Sequence, residues 1–186
     1  MIVVGIDEVG RGCWAGPLVA GAVVLDTEIV GLKDSKKLSK LQREKLAILI
    51  EQSAKIGLGW VQPAEIDELG LTKAVGLAMQ RAFMALECVC DEIIIDGNIN
   101  YFPNDVRAKA IIRADDLIPV VSAASIVAKV ARDTYMVDIA QKYPEYGFDQ
   151  HVGYGTLTHR AALKAYGITD IHRKSYKPIK MYSTLT

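Results

Sequence analysis

The chain has 186 residues, 51% of them hydrophobic, enough to bury a substantial core as one domain, or at most a domain with a small appendage. Lysine plus arginine and aspartate plus glutamate both number 22, so net charge by itself points to no anionic partner. No apolar run reaches membrane-spanning length, no targeting peptide is evident, and Cys13, Cys88 and Cys90 form neither an even set nor a C-x-x-C pair; a cytoplasmic monomer with reduced thiols and no membrane contact is expected.

Met1 to Ile6 and Leu18 to Leu25 are short apolar runs rich in β-branched residues and read as strands, the second entered through the Gly16-Pro17 turn signal. Leu41, Leu46, Leu49 and Ile50 recur at helical spacing from Ser39, an N-cap residue, to Ser53, with Gly57 near the end. A strand follows over Ile56 to Val61, then a short helical turn from Pro63 to Ile66 and a helix over Thr72 to Leu86, whose residues are good helix formers. Glu92 to Ile95 reads as a buried strand ending at Asp96-Gly97, and Ala110 to Ile112 as another ending near Arg113. After Pro119, the alanine- and valine-rich stretch Val120 to Ala140 predicts a long helix packed closely on a sheet. From Tyr143 onward aromatic, glycine and basic residues rise, with a helix over Thr156 to Ala165. This order predicts an α/β sheet flanked by helices, a single catalytic domain over residues 1–186 in which 143–186 form a helical C-terminal part walling the cleft.

Three of four candidate acids stand where predicted strands run out, Asp7 and Glu8 after the first and Asp96 after Ile93-Ile94-Ile95, while Asp115 follows in the loop shortly beyond Ile112. Carboxylates gathered at the end of an apolar sheet repel one another and need a compensating cation, which Mg²⁺ or Mn²⁺ supplies through oxygen ligands. Two such ions about 4 Å apart activate a water and stabilise the leaving oxygen of a phosphoryl displacement. Because consecutive strand residues point to opposite faces, Asp7 and Glu8 can both face one site only if the strand ends or twists between them, a departure that Gly10 and Gly12 permit. Each acid alone also fits a turn or a helix cap, Asp96-Gly97 above all; only the combination points to metal chemistry. His151, His159 and His172 are too scattered in the chain for a metal set; His159 reads as a satisfied core or surface residue, and His172, in the basic tail, as a group that could orient substrate. Two basic clusters, Lys36, Lys37, Lys40, Arg43 and Lys45, and then Arg173, Lys174, Lys177 and Lys180, are solvated surface or the footprint of a phosphate backbone.

The blocks D-E-V-G-R-G at 7–12, D-S-K-K-L-S at 34–39, I-D-G at 95–97, S-A-A-S-I-V-A-K-V-A-R-D at 122–133, H-V-G-Y at 151–154 and H-R-K-S-Y at 172–176 follow one another in the order of a known family. Together they resemble ribonuclease HII, the type 2 ribonuclease H family, over nearly the whole chain. The resemblance implies a ribonuclease H-like mixed five-stranded sheet flanked by helices, and an endonuclease that cuts the RNA strand of RNA–DNA hybrids and ribonucleotides embedded in duplex DNA, leaving 3′-hydroxyl and 5′-phosphate ends. It assigns Asp7, Glu8, Asp96 and Asp115 as catalytic carboxylates holding Mn²⁺ or Mg²⁺, two per site during catalysis. It assigns Gly10, Arg11 and Gly12 to recognition of the 2′-hydroxyl, Tyr154 to the sugar on the 3′ side of the cut, and Lys36 to a phosphate. Only the 2′-hydroxyl separates RNA from DNA at one nucleotide, and glycines allow the close backbone approach that reads it. An ordinary tight turn for the glycines and core packing for Tyr154 are the plainer readings of the same residues.

The pattern departs from the family in four places. Arg113-Ala114-Asp115 stands for the usual Lys-Gly-Asp and is followed by Asp116, which competes with Asp115 for the fourth position; Val152 replaces a lysine, and Lys33 an asparagine. The Ser122 to Asp133 block reads as structural, with Lys129 and Arg132 facing solvent or neighbouring acids. Two other classes share some of these features: a nucleic-acid-binding module without activity, and a receiver domain, which also gathers acids around Mg²⁺ but is shorter and lacks the basic tail.

Overall fold

Five strands form one sheet in the order β3-β2-β1-β4-β5 in the computed structural model, which describes residues 1–183; residues 184–186, the end of the expected C-terminal part, lie outside the described residues. β1 is Val3–Val9, β2 is Leu18–Leu25, β3 is Ala54–Val61, β4 is Glu92–Asp96 and β5 is Ala108–Ile111. β1 pairs antiparallel with β2 and parallel with β4, and β4 pairs parallel with β5, so the sheet is mixed as expected. The helices are α1 (Lys40–Ser53), α2 (Pro63–Leu69), α3 (Leu71–Ala85), α4 (Ala114–Leu117), α5 (Pro119–Lys142), α6 (Phe148–His151), α7 (Leu157–Tyr166) and α8 (Lys177–Ser183), with 3-10 turns at Ser35–Lys37 and Pro144–Tyr146. Among the described residues no helix is long and apolar enough to cross a membrane.

Two expectations are corrected. The first strand continues through Asp7 and Glu8 to Val9, because its antiparallel ladder with β2 runs on to the Val9–Val19 pair and holds polar residues in extended backbone. Asp115 lies in the first turn of α4 rather than in a loop. The local signals for α1 hold: Ser39 accepts the N–H of Gln42 and the Gln42 side chain accepts the N–H of Ser39, a reciprocal cap that satisfies two otherwise orphaned donors.

The described chain divides into two compact units. The first comprises Met1–Val9, Val19–Trp60 and Val75–Val130; the second comprises Gly10–Leu18, Val61–Ala74 and the residues from Ala131 on. In the first, α5 lies backbone-close on the sheet: a Cβ on Gly5 would stand 2.4 Å from the carbonyl carbon of Val120, and one on Gly21 would stand 2.5 Å from the carbonyl oxygen of Ala124. Val120, Val121, Ala123, Ala124, Ile126 and Val127 bury the facing side of the helix against Val23 and Ile94. The small residues of the S-A-A-S block therefore pack as the sequence predicts. The second unit has its own core, in which Tyr146 and Phe148 stack at 5.3 Å beside Met136, Leu163 and Ile179.

Candidate active site

Asp7 lies on β1 two residues beyond Gly5, on the face that α5 covers, and only 4% of it is exposed. The Ser125 side chain of α5 hydrogen-bonds its carboxyl group, and the Ser125 hydroxyl stands 2.9 Å from that of Ser35 in the 3-10 turn. Burial pushes the Asp7 carboxyl well above the usual carboxylate range, and the charges of Glu8 and Asp96 push it further; Ser125 and the Glu8 N–H, which donates to Asp7 Oδ1 at 2.8 Å, oppose that shift. The strand does not end between Asp7 and Glu8, and the two charges act on each other.

The β1–β4 ladder ends at the Ile6–Ile95 pair, so Asp7 and Asp96 occupy the next register positions on adjacent parallel strands. Asp96 Oδ1 accepts the N–H of Asp115 at 3.3 Å. Arg113 takes the left-handed conformation (φ 62°) that lets the chain turn from β5 into α4, and Ala114 is then an ordinary buried helical residue. Asp115 is 5% exposed; burial and then the charges of Asp96 and Asp34 raise its pKa, against the pull of Lys36. Asp116 points elsewhere. It pairs with Lys37 at 2.5 Å and with Arg113 at 3.0 Å, and the hydrogen bond from Lys37 holds its carboxyl below the usual range. Of the two adjacent aspartates, Asp115 meets the acidic cluster.

Lys36 extends its ammonium to 3.4 Å from Asp115 Oδ2 and 3.7 Å from Asp34 Oδ1. Burial lowers its pKa, but attraction to Asp34, Asp115 and Asp7 outweighs that and raises it overall. The rest of the first basic run is engaged locally: Arg43 donates to the carbonyls of Ser35 and Leu38, and Lys40 faces Glu44 at 3.9 Å. The side chains of Asp7, Glu8, Asp96 and Asp115 offer only hard oxygen donors in a partly buried, like-charged setting, the chemistry that fits a divalent Mg²⁺ or Mn²⁺. Among the described residues, no three of the His, Cys, Asp and Glu side chains already gather as a closed ligand set. The acids are neighbours rather than a finished cage.

In the second unit, Gly10 (φ 93°) opens the loop that continues through exposed Arg11 and Gly12. A Cβ on Gly12 would meet only the Tyr154 ring, at 3.9 Å, and Tyr154 is 40% exposed while its hydroxyl engages Cys13. The glycine loop and the tyrosine thus share one surface, and Tyr154 is not core. The three histidines, scattered in the chain, meet in space: the rings of His151 and His159 stack at 4.7 Å, and His159 Nε2 lies 3.0 Å from His172 Nε2. Their other ring nitrogens are satisfied by the carbonyls of Tyr146 and Tyr154 and by the N–H groups of Gly153 and Thr169. All three are buried, so His172 holds structure and faces no substrate. Arg132 is also corrected: it reaches neither solvent nor an acid but is fully buried on backbone carbonyls.

A model of the family described as Ribonuclease HII matches residues 4–179. The chain belongs to the ribonuclease HII family. The ribonuclease HII of Nitrosococcus oceani is 48% identical over 183 residues, 97% of this chain and 90% of that one. Among solved structures, the ribonuclease H2 of Pyrococcus horikoshii OT3 superposes with a TM-score of 0.84 at 29% identity, covering 100% of this chain and 98% of that one. The RNase HII in a PCNA complex from Archaeoglobus fulgidus gives 0.83 at 29% identity over 95% and 96% of the two chains. As a ribonuclease HII, the chain has the ribonuclease H-like fold and is a metal-dependent endoribonuclease.

Sequence reasoning missed several residues that shape the candidate site. Ser35 and Ser125 were visible only as members of the D-S-K and S-A-A-S blocks, and their meeting joins two blocks 90 residues apart. Asp34 caps the 3-10 turn by accepting the Lys36 N–H at 3.0 Å, a role its position before Ser-Lys-Lys could have suggested. Asp67 accepts the N–H groups of Lys174 and Ser175, both at 2.8 Å, and anchors the basic tail; nothing in its local sequence signals this.

Proposed function

We propose that the enzyme hydrolyses the RNA strand of RNA–DNA hybrids and cuts at ribonucleotides embedded in duplex DNA, with Asp7, Glu8, Asp96 and Asp115 holding two Mn²⁺ or Mg²⁺ ions and the products ending in 3′-hydroxyl and 5′-phosphate. The convergence of Asp7, Asp96 and Asp115, stretches far apart in the chain whose charges act on one another, carries this reading. When bound, the ions supply an activated water and charge stabilisation of the departing oxygen. The chain's own groups do the remaining work. Ser125 and the Glu8 N–H orient the Asp7 carboxyl group, and Lys36 offers a point charge to a phosphate. Gly10, Arg11 and Gly12 bring backbone to the 2′-hydroxyl, and Tyr154 lays its half-exposed ring against the neighbouring sugar. Val9 alone separates Glu8 from Gly10, so metal binding and ribose reading are assigned to one continuous stretch of chain. The reading includes a cytoplasmic monomer, in keeping with three free thiols; light scattering of the purified protein tests the monomer.

The deciding experiment incubates the protein with a duplex carrying one embedded ribonucleotide and with a long RNA–DNA hybrid, each with Mn²⁺, with Mg²⁺ and with chelator. Cleavage that needs the ion and falls at the ribonucleotide is expected, and Asp96→Asn should nearly abolish it while the fold and duplex binding persist. Substantial cleavage by Asp96→Asn, or by the wild type in chelator, refutes the metal role.

A further inference from the structure

Arg132 and Arg173 are the largest fully buried side chains among the described residues. The hydrogen-bond partners of both are neutral. Arg132 donates from Nε to the carbonyl of Pro17 at 2.8 Å, from Nη1 to that of Val152 at 2.9 Å and from Nη2 to that of Ala15 at 3.1 Å. Arg173 donates from Nε to the carbonyl of Gly16 at 3.0 Å and from Nη1 to that of Arg11 at 3.1 Å and to the Tyr176 hydroxyl at 2.9 Å; the Tyr176 hydroxyl in turn donates to the Arg11 carbonyl at 2.7 Å. Nη2 of Arg173 has no hydrogen-bond partner.

Two buried cations held only by neutral oxygens are a costly way to fill a core, and apolar side chains of the same volume would do it at less cost. What a guanidinium adds is direction, since its fixed fork of N–H donors dictates where each carbonyl points. A trans peptide unit is planar with its C=O and N–H opposed, so a carbonyl drawn inward turns the next residue's N–H outward. The Arg11 carbonyl, gripped by both Arg173 and Tyr176, is joined to the nitrogen of Gly12, which lies exposed beside the Tyr154 ring.

We propose that Arg173, together with Tyr176, is a positioning residue for ribose recognition: by holding the Arg11 carbonyl inward it aims the Gly12 N–H at the 2′-hydroxyl. Arg132 braces the same segment from its other end, at Ala15 and Pro17. This inference rests on the function proposed above, and it separates two tasks. The arginine pair sets discrimination between RNA and DNA, whereas affinity for the duplex as such comes from elsewhere.

The test measures binding, with Ca²⁺ in place of Mn²⁺ or Mg²⁺, of a duplex with one central ribonucleotide and of the identical all-DNA duplex, for the wild type, Arg173→Lys and Tyr176→Phe. The wild type should prefer the ribonucleotide. Arg173→Lys keeps the charge but not the fork and should lose about tenfold of that preference, and Tyr176→Phe about fivefold, as expected for one charged and one neutral hydrogen bond. Affinity for the all-DNA duplex should stay the same in both variants, an outcome that a general loss of structure would not produce. Should Arg173→Lys fail to fold, Tyr176→Phe decides, since it deletes a single oxygen from a part-exposed side chain. A wild-type preference that survives intact in the folded variants overturns this inference alone; a wild type with no preference overturns the proposed ribose reading with it.

Discussion

The hydroxyls of Ser35 and Ser125 stand 2.9 Å apart across 90 residues of sequence, and Ser125 also hydrogen-bonds the buried carboxyl group of Asp7. Asp7 is thereby held from α5 as well as from its own strand. Groups that orient a metal ligand typically contribute 10–100-fold, roughly, to metal affinity or activity. Ser125→Ala should therefore raise the Mn²⁺ concentration for half-maximal cleavage by about tenfold or more while the protein stays folded. Cleavage titrated against Mn²⁺ checks this; an unchanged titration would mean that the Ser35–Ser125–Asp7 chain is packing alone.

Asp115 and Asp116 differ by one position and should differ sharply in effect. Asp115 meets Asp96 and Lys36, whereas Asp116 is spent on Lys37 and Arg113. On the proposed metal role of Asp115, whose ion would stabilise several kcal/mol of transition-state charge, Asp115→Asn should lower the rate by about a thousandfold or more. Asp116→Asn breaks only surface pairs and should leave the cleavage rate close to that of the wild type. Equal losses in single-turnover assays would contradict the assignment.

Gly10 and Gly12 invite opposite outcomes from one methyl group. At Gly10, φ is 93° and a Cβ would stand 2.5 Å from Nε of the buried Arg132, so Gly10→Ala strains both backbone and packing. A cost of about 1–2 kcal/mol, equivalent to a melting temperature lower by roughly 2–8 °C in a chain of this size, is expected. At Gly12 a Cβ meets nothing nearer than Tyr154 at 3.9 Å, so Gly12→Ala should melt like the wild type. It should nonetheless cleave poorly, because the methyl group keeps the ribose from the backbone. Calorimetry and cleavage on the same preparations separate the two effects.

The histidine cluster makes stability sensitive to acid. With Nδ1–H of His159 donated to the Tyr154 carbonyl, and His172 Nδ1 accepting the Thr169 N–H, His172 donates from Nε2 to His159 Nε2, and both rings are neutral. Burial, and then repulsion from neighbouring histidines, pushes His159 down to about 4 and His172 down to about 3. Both folded values lie below the usual 6.5, so the unfolded chain binds protons first, and stability falls as pH drops from about 6.5 toward 4 and then 3. Asp7 and Asp115, raised on folding, act in the other direction. An Asp7→Asn, Asp115→Asn background removes that opposing part. There, denaturant unfolding should show stability falling by up to roughly 3 kcal/mol per pH unit near pH 5, about 1.4 from each histidine. A flat profile would mean the rings are not held neutral.

Much of the architecture was legible locally because its signals are local. The β-branched runs of β1, β2 and β4, the Ser39 cap of α1 and the alanine-rich α5 all announce themselves within a few residues. The boundaries that failed were those decided by a partner: β1 keeps Asp7 and Glu8 extended because β2 lies alongside, and α4 exists because Arg113 adopts a left-handed turn. The acids of the candidate site could be named from their blocks, yet the choice between Asp115 and Asp116 depended on which way a short helix faces.

The sequence by itself determined the inventory: which residue types the chain holds, at what spacing, and hence the family and the kind of chemistry. Only the tertiary structure decided who meets whom. Three histidines far apart in the chain became one buried network, and two arginines expected near solvent became buried clamps on the segment from Arg11 to Pro17. The reason is physical: hydrophobic pattern and turn chemistry act over a few residues, whereas the burial of a charge and the partner of a hydrogen bond are properties of the whole packed chain.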